Sequence, residues 1–308
     1  MSKTIRIGTR DSELALWQAK TVEKQLNDLG YNTEIIAVKS DGDIVLDKPL
    51  YELGITGIFT KTLDVAMIQG KIDMAVHSMK DVPTLLPIGI VQGAVLERAS
   101  AFDILVYKEN LEFLNEENAS IASSSLRRKA SWLHKYPSHK IEDIRGNVNT
   151  RLQKVADSNW GGAIFAEAGL DRIHLKPEKA ILLDWMIPAP AQGAMVVVCN
   201  AEDFFSLDAV SQLNHIETEI CTYIERQFLR TLEGGCTAPI GAIATYNEKE
   251  DVIDFTGVLL SIDGKQKLEV TKTVAVSEWK KLGFHAAQEI LSNGGESIML
   301  SIKNEIKK

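Results

Sequence analysis

Short apolar strand patterns alternate with amphipathic helix patterns along most of the 308 residues of this chain. A strand pattern over residues 5–8 precedes a helix pattern that begins near Ser12, and a strand over 33–38 precedes a helix over 60–69. A second alternating set starts at residues 103–107. Such alternation is typical of α/β domains, in which helices cover a mostly parallel sheet. The sequence therefore predicts two α/β lobes with mixed, mainly parallel sheets.

The pattern changes after the glycine pair at residues 234–235. Residues 252–258 alternate between apolar and polar side chains, and a helix pattern follows at 284–291. Strands of this kind followed by a helix indicate a sheet with one face buried against a helix. We therefore expect a third, smaller α+β domain at the C-terminal end.

The charge balance and the cysteines narrow the class of protein. The chain has 34 Lys and Arg residues against 42 Asp and Glu residues, which opposes non-specific binding to nucleic acids or anionic membranes. No run approaches the roughly 18 apolar residues of a membrane span, and the first residues are too polar for a signal peptide. Three cysteines without paired spacing suit a reducing compartment. We therefore expect a cytoplasmic protein with no membrane or nucleic-acid partner.

A run of polar residues closed by a proline, residues 77–83, follows the apolar run at 72–76. Open α/β sheets hold their ligands at the carboxyl ends of strands, so Lys80 and Asp81 are candidates for chemistry. The alternative is a solvated turn with one surface ion pair. His77 is interpreted as a structural hydrogen-bonding residue rather than a general base, and the six histidines lack metal-ligand spacing.

The arginines are unevenly placed. No arginine lies between Arg10 and Arg98, whereas five fall within residues 127–172: Arg127, Arg128, Arg145, Arg151 and Arg172. The first two follow a serine-rich turn that opens a helix, where hydroxyls, free backbone N–H groups and the positive helix end converge. Guanidinium groups add bidentate binding of carboxylate or phosphate. Each arginine alone could be a solvated surface residue, but together they predict a local polyanion site.

Cys236 differs from the other two cysteines. Cys199 lies in a valine run and Cys221 lies beside an apolar helix stripe, as small buried apolar side chains do. Cys236 follows two glycines and precedes Pro239, which places it on a loop whose backbone can approach another surface closely. Its sulfur could therefore be presented to a cleft.

These segments, taken in order and at their spacings, resemble the porphobilinogen deaminase (hydroxymethylbilane synthase) family over nearly the whole chain. The matching residues are 9–12, 14–18, 42–43, 75–83, 124–128, 145–147, 150–152, 168–170, 192–194 and 233–236. The resemblance implies a monomer with three domains: residues 1–97 with 192–213, residues 98–191, and residues 214–308. It also implies that the first two lobes are similar to periplasmic-type anion-binding proteins, with the active site in the cleft between them.

The resemblance further implies a transferase that needs no metal and carries a dipyrromethane cofactor on Cys236 through a thioether. Such an enzyme adds porphobilinogen units head to tail, releases ammonia at each step, and hydrolyses off hydroxymethylbilane. Asp81 would stabilise positive charge on the pyrrole rings and assist proton transfer. The family pattern assigns the cofactor to Lys80, Asp81, Ser125, Arg127, Arg128, Arg145 and Cys236. It assigns the substrate to Arg10, Ser12, Arg145, Arg151, Arg172 and Gln192.

Each pyrrole ring brings an acetate and a propionate, so the growing chain accumulates more carboxylates than these cations can clamp at once. We therefore expect the chain to slide past one fixed catalytic point. Three departures from the family pattern bear on this expectation. Thr56 stands where relatives commonly have a lysine, residues 97–103 keep only the ends of a usual charged segment, and Pro190-Ala191 replaces a more common glycine.

Two other classes remain open on the sequence. A non-enzymatic two-lobe anion-binding protein would use the same arginines but would not need Cys236. A nucleic-acid-binding protein could use residues 125–129 with Trp132 and Tyr136, although the net charge of -8 opposes it.

Overall fold

The computed structural model describes residues 3–38, 60–232 and 238–306. These residues form two compact units. The first comprises residues 3–38, 60–99 and 193–219, and the second comprises 100–192, 220–232 and 238–306. The chain therefore leaves the first unit after Ala99 and returns to it at Gly193. The division into three domains with the boundaries given above stays a prediction.

Strands and helices alternate as the sequence predicts. The strands are β1 (Thr4–Thr9), β2 (Asn32–Ala37), β3 (Met74–Ser78), β4 (Ile90–Val95), β5 (Asp103–Tyr107), β6 (Ser120–Ala122), β7 (Lys140–Glu142), β8 (Gly162–Ala166), β9 (Ala180–Leu182), β10 (Met195–Asn200), β11 (Ile240–Asn247), β12 (Val252–Leu260) and β13 (Lys267–Ala275). The helices are α1 (Glu13–Asp28), α2 (Lys61–Ile68), α3 (Leu126–Lys135), α4 (Val148–Asp157), α5 (Glu167–Arg172), α6 (Phe204–Ser211), α7 (Ile216–Thr231), α8 (Leu282–Ile290) and α9 (Glu296–Ile306). No helix within these described ranges is long and apolar enough to cross a bilayer.

The first unit is built on a five-stranded sheet of order β2-β1-β3-β10-β4. Helix α1 covers it because its apolar residues recur at helical spacing and Ser12 caps its first turn. Its side chains of Ala19, Val22 and Leu26 are fully buried against the sheet. Burying each large apolar side chain contributes roughly 1.5–3 kcal/mol, so this face fixes the helix on the sheet.

The second unit contains a five-stranded sheet of order β7-β6-β8-β5-β9. Strand β6 is parallel to β7 and β8, whereas β5 is antiparallel to β8 and β9. In the first unit, β1 is likewise parallel to β2 and β3, and β10 is antiparallel to β3 and β4. Both sheets are mixed, as predicted. Among their described strands, however, parallel and antiparallel pairs are equal in number, so the sheets are not mainly parallel.

The antiparallel strands have a topological cause. Strand β10 is the first strand after the chain returns to the first unit, and Met195 pairs with Ser78, the last residue of β3. Strand β5 is the first strand of the second unit, and Asp103 pairs with Ala166, the last residue of β8. Both strands thus enter their sheet at the carboxyl edge of the parallel strands and run back through it. The two segments that join the units therefore lie at the sheet edges where α/β proteins bind ligands.

The C-terminal part of the second unit is an antiparallel sheet of order β11-β12-β13 that packs on α7 and α8. Phe228 of α7 meets Phe255 of β12 edge to face at 5.3 Å between ring centroids. This sheet also packs on the α/β part, because Val258 and Leu260 are buried against Ala130 of α3. The predicted architecture of two α/β lobes and a smaller α+β region is confirmed.

Candidate functional site

The carboxyl edge of the first sheet carries four of the predicted site residues. Strands β1 and β3 are parallel neighbours, so the residues that follow them reach the same edge. Arg10 and Ser12 follow β1, and the Oγ of Ser12 accepts a hydrogen bond from the N–H of Ala15 at the start of α1. Lys80 and Asp81 follow β3 in a short 3-10 helix, and both are half-buried.

Two contacts fix the turn that holds Asp81. The N–H of Met79 donates to the carbonyl oxygen of Ala194 at 3.0 Å, which ties the turn to the segment entering β10. The Nε2 of Gln18 donates to the Oγ of Ser78 at 2.9 Å, which ties the end of β3 to α1. The backbone that leads into Asp81 is therefore tied both to α1 and to the segment that enters β10.

His77 lies just before this turn and is 6% exposed. Its Nε2 has no hydrogen-bond partner among the described residues, so the predicted hydrogen-bonding role is not supported at that nitrogen. Burial, aided by the positive charge of Arg10, lowers the pKa of His77 to about 4. The imidazole is therefore neutral near neutral pH.

The carboxyl edge of the second sheet collects the arginines. Parallel strands β6 and β7 lead into the N-termini of α3 and α4. The Oγ of Ser124 donates to the carbonyl oxygen of Ile144 and accepts from its N–H, both at 2.8 Å, which joins the two loops. Ser125 caps α3 and Asn147 caps α4, each through its side-chain oxygen. The first turns of α3 and α4, which carry Arg127, Arg128 and Arg151, are thereby brought close to the loop that carries Arg145.

Arg127 and Arg128 are bound to Asp103, which is fully buried at the start of β5. An Nη of Arg127 donates to one carboxylate oxygen at 2.8 Å, and Arg128 donates to the other through Nη and Nε at 2.7 and 3.1 Å. Gln192 also donates to Asp103 through its Nε2, at 2.9 Å, and to the carbonyl oxygen of Ala101 at 2.8 Å. Sequence reasoning assigned these three residues to ligands and missed the role of Asp103, which it noted only as one end of the altered segment 97–103 and as the start of a buried strand.

Two buried guanidiniums thus share one buried carboxylate. Burial lowers the pKa of Arg127, and the like charge of Arg128 lowers it further while Asp103 opposes both effects. Arginine nevertheless stays protonated near neutral pH, so positive charge is left over in this network. The Nε of Arg127 is buried and has no acceptor in the described part of the chain. Because a buried donor without a partner is costly, the cluster suits an anionic oxygen ligand.

The other three predicted arginines, Arg145, Arg151 and Arg172, also lie at the carboxyl edge of the second sheet. Arg145 is 9% exposed. Arg151 is half-buried and donates through Nε to the carbonyl oxygen of Gly146 at 2.8 Å. Arg172 lies in α5, which follows the parallel strand β8, and burial lowers its pKa to about 10. The structure therefore brings the five arginines of residues 127–172 to one edge of one sheet.

Cys236, Thr56 and the matched residues 42–43 lie outside the described residues. The other two cysteines are buried, as predicted, and burial raises the pKa of the Cys199 thiol to about 12. Among the residues that the structure describes, no group of three or more His, Cys, Asp or Glu side chains is arranged to hold a metal ion.

A pair of mixed α/β sheets with buried arginines at a carboxyl edge is typical of proteins that bind anionic ligands. Residues 5–207 match the family described as "Porphobilinogen deaminase, dipyromethane cofactor binding domain". Residues 219–292 match "Porphobilinogen deaminase, C-terminal domain". The chain belongs to the porphobilinogen deaminase family, and is therefore an enzyme with a transferase-type reaction in tetrapyrrole biosynthesis.

Named relatives align along nearly their full length. "Probable porphobilinogen deaminase" of Methanocaldococcus jannaschii is 40% identical over 288 residues, which cover 91% of this chain and 98% of the relative. The porphobilinogen deaminase of Syntrophotalea carbinolica is 36% identical over 306 residues, which cover 98% and 96%. A solved probable amino-acid ABC transporter extracellular-binding protein from Bacillus subtilis is 13% identical with a TM-score of 0.41, covering 69% of this chain and 90% of that one.

Proposed function

We propose that this chain condenses porphobilinogen head to tail onto a dipyrromethane primer held by a thioether to Cys236. Ammonia leaves at each addition, and hydrolysis finally releases hydroxymethylbilane. Family membership supports the reaction. The structural observation that carries the proposal is the buried Arg127–Arg128 pair, whose positive charge Asp103 only partly balances. A ligand that bears carboxylates supplies the missing negative charge.

The residues present fit such a primer. The open Nε of Arg127 is a donor without an acceptor in the described part of the chain, and the arginines beside it are donors only. Lys80, Ser125, Arg127, Arg128 and Arg145 would hold the carboxylates, and the sulfur of Cys236 would carry the primer. When bound, the primer supplies a free pyrrole α-carbon as the nucleophile. The protein's part is to fix that carbon against the substrate and to exclude other geometries.

Asp81 supplies the charge that the reaction needs. Loss of ammonia from porphobilinogen leaves the substrate ring electron-poor, and bond formation passes positive charge through the pyrrole nitrogens. A fixed carboxylate accepts hydrogen bonds from those N–H groups and stabilises the charge as it develops. The same carboxylate would carry protons to the leaving amine and from the coupled carbon. Its turn, held by Met79 and Ser78, keeps the group at one position.

The substrate's carboxylates would be bound by Arg10, Ser12, Arg145, Arg151 and Arg172. Gln192 has a different role, because its Nε2 donates to the carboxylate of Asp103 and to the carbonyl oxygen of Ala101. We therefore propose that Gln192 supports the arginines rather than touching substrate through that nitrogen. We also propose a cytoplasmic monomer. The buried Cys199 and Cys221 are not joined in a disulfide, which supports a reducing compartment.

Intact mass tests the enzyme against the non-enzymatic anion-binding alternative. The wild-type chain should be heavier than its sequence mass by the dipyrromethane, and Cys236→Ala should carry no added mass. Cys199→Ala is the matched control, because that thiol is fully buried and has a raised pKa. It should keep the added mass. A wild-type chain of sequence mass that binds porphobilinogen reversibly would instead support the binding protein.

The burial of the residues that would contact a nucleic acid argues against the nucleic-acid-binding alternative. Trp132 is fully buried, and Arg127 and Arg128 are 4% and 7% exposed. Tyr136 and Trp185 pack on Trp132 at 4.7 and 6.0 Å between ring centroids, which forms an aromatic cluster of the protein interior. Single-stranded nucleic acids need exposed rings and cations, so residues 125–136 do not offer such a surface.

A further inference from the structure

We infer that Asp103 is a positioning residue for the reaction: it holds Arg127 and Arg128 in the one arrangement that grips the primer's carboxylates. The inference rests on the proposed function. Asp103 itself has no exposed surface, so it acts through the guanidiniums and not on the ligand.

The geometry explains why both arginines depend on this one carboxylate. Each carboxylate oxygen takes a different guanidinium, so the two planes are set relative to one rigid group. The backbone completes the arrangement, because Arg127 also donates to the carbonyl oxygen of Ile187 at 2.9 Å and Arg128 to that of Ile164 at 3.0 Å. These acceptors are all protein atoms. Within this cluster, the Nε of Arg127 is a buried donor that has no acceptor among the described residues.

Asp103 also links the arginines to the segments that join the two units. It lies four residues after Ala99, where the chain enters the second unit. Gln192, the last residue before the chain returns, donates to Asp103 and to Ala101. A shift of either joining segment would therefore move the Asp103 carboxylate, which holds Arg127 and Arg128. The position of Arg127 and Arg128 is thus set by the segments that join the units as well as by α3.

Asp103→Asn tests the inference with little change of volume. The amide turns one acceptor oxygen into a donor that faces a guanidinium, so one arginine loses its partner. The porphobilinogen concentration needed to load half of the cofactor-free chains within a fixed time, read by intact mass, should rise about 10- to 100-fold, because misplacement by about 1 Å can slow a reaction by about 100-fold. Once loaded, the variant should show a raised KM with a smaller change in kcat. Gln192→Leu keeps the carboxylate and should shift both values less, in the same direction.

Asp73→Asn is the matched control for a lost buried ion pair. Asp73 is 6% exposed and accepts from Arg6 through both oxygens at 2.8 to 3.0 Å, but it precedes β3, at the end of that strand away from Asp81. The Asp73→Asn variant should be less thermally stable than the wild type, but it should load at the same porphobilinogen concentration. In a cycle with Arg127→Lys, the effects of Asp103→Asn should be non-additive, because both act on one contact.

Wild-type loading by a folded Asp103→Asn chain, or by Gln192→Leu if Asp103→Asn does not fold, would overturn the inference. So would an equal loss in Asp73→Asn, which would show that any lost ion pair has the effect. Failure of the proposed function looks different, because the wild-type chain itself would then acquire no dipyrromethane.

Discussion

Ala191 adopts a φ of 62°, in the left-handed region that strains an L side chain by about 1–2 kcal/mol. Its N–H donates to an Oε of Glu225 at 2.6 Å, and the other Oε accepts from the N–H of Ala244 at 2.8 Å. Glu225 is fully buried. A buried carboxylate therefore holds this strained residue in place.

Ala191→Gly should be neutral or should raise the free energy of unfolding by up to about 1 kcal/mol, because it relieves the backbone strain. Ala130→Gly in the middle of α3 is the control, and it should cost about 1 kcal/mol or more through the ordinary effect of glycine in a helix. Urea denaturation measures both. Equal losses in the two variants would show that the φ of Ala191 carries no strain.

Asp81→Asn should keep the fold and lose most of the turnover, by about 100- to 10,000-fold, because the amide cannot carry the negative charge or the proton. The measurement is steady-state formation of hydroxymethylbilane, with thermal unfolding as the check on the fold. Turnover within a few-fold of wild type would remove Asp81 from the mechanism.

His77 predicts a pH dependence of stability. Its pKa is about 4 in the folded chain and near the ordinary 6.5 when unfolded. Between these values the unfolded chain binds more protons, so the free energy of unfolding falls as the pH drops from 6.5 to 4. This contribution is complete above pH 6.5 and is on the order of 3 kcal/mol. His77→Gln should flatten the curve in urea denaturation across this range, and an unchanged slope would contradict the assignment.

For single residues, the sequence predicted that the arginines form an anion site, because their uneven spacing and the serine-rich turn are local signals. It could not reveal Asp103, because the three residues that meet there, Arg127, Arg128 and Gln192, are 24, 25 and 89 positions away. Which partner a buried charge finds is decided by the sheet order and not by its neighbours in the chain. The sequence could not predict the left-handed conformation of Ala191 either, because alanine rarely adopts a positive φ.

Among the elements, α3 carries the arginine pair at one end and packs on the C-terminal sheet at the other. Gly264, in the turn between β12 and β13, has a φ of 73°, and a Cβ there would lie 2.5 Å from the carbonyl oxygen of Ala130. The carbonyl oxygen of Gly264 is 2.8 Å from the Nδ1 of His134. The turn therefore needs glycine both for its backbone and for its approach to the helix.

Gly264→Ala should lower the free energy of unfolding by about 2–4 kcal/mol, since it adds a clash with the helix backbone to the backbone strain. Gly294→Ala separates the two effects, because Gly294 has a φ of 104° and no atom within 4 Å of an added Cβ. It should cost only about 1–2 kcal/mol. Chemical denaturation of the two variants gives the difference, and equal losses would mean that the hairpin moves freely away from α3.

The sequence predicted most helices and strands within a few residues, because apolar periodicity and caps such as Ser12 are local. It overstated the parallel share of the sheets. Periodicity shows that residues 103–107 or 195–200 form a buried strand, but it carries no information on strand direction. Direction follows from where the chain re-enters each unit, which is a property of the tertiary fold.

For the whole molecule, the growing product must pass one catalytic carboxylate while its own carboxylates accumulate. Arg127 is bound within the Asp103 network, whereas Arg151 is half-buried on α4. We expect Arg127→Ala to fail at primer assembly and Arg151→Ala to stop at a later addition. Intact mass of each variant after exposure to porphobilinogen reports the number of rings attached. The same stopping point in both would contradict a product that slides.

Strands β5 and β10 both start at the carboxyl edge of their sheet, directly after a segment that joins the units. This limits where the polypeptide can be cut or extended. New ends or inserts near positions 99–103 or 191–195 would disturb the edges at which the acid and the guanidiniums are held. The turn at Gly70, on the opposite rim of its sheet, is exposed and open around its Cα. Insertion of a short flexible segment at that turn should therefore leave the chemistry intact, whereas the same insertion in either segment that joins the units should abolish it.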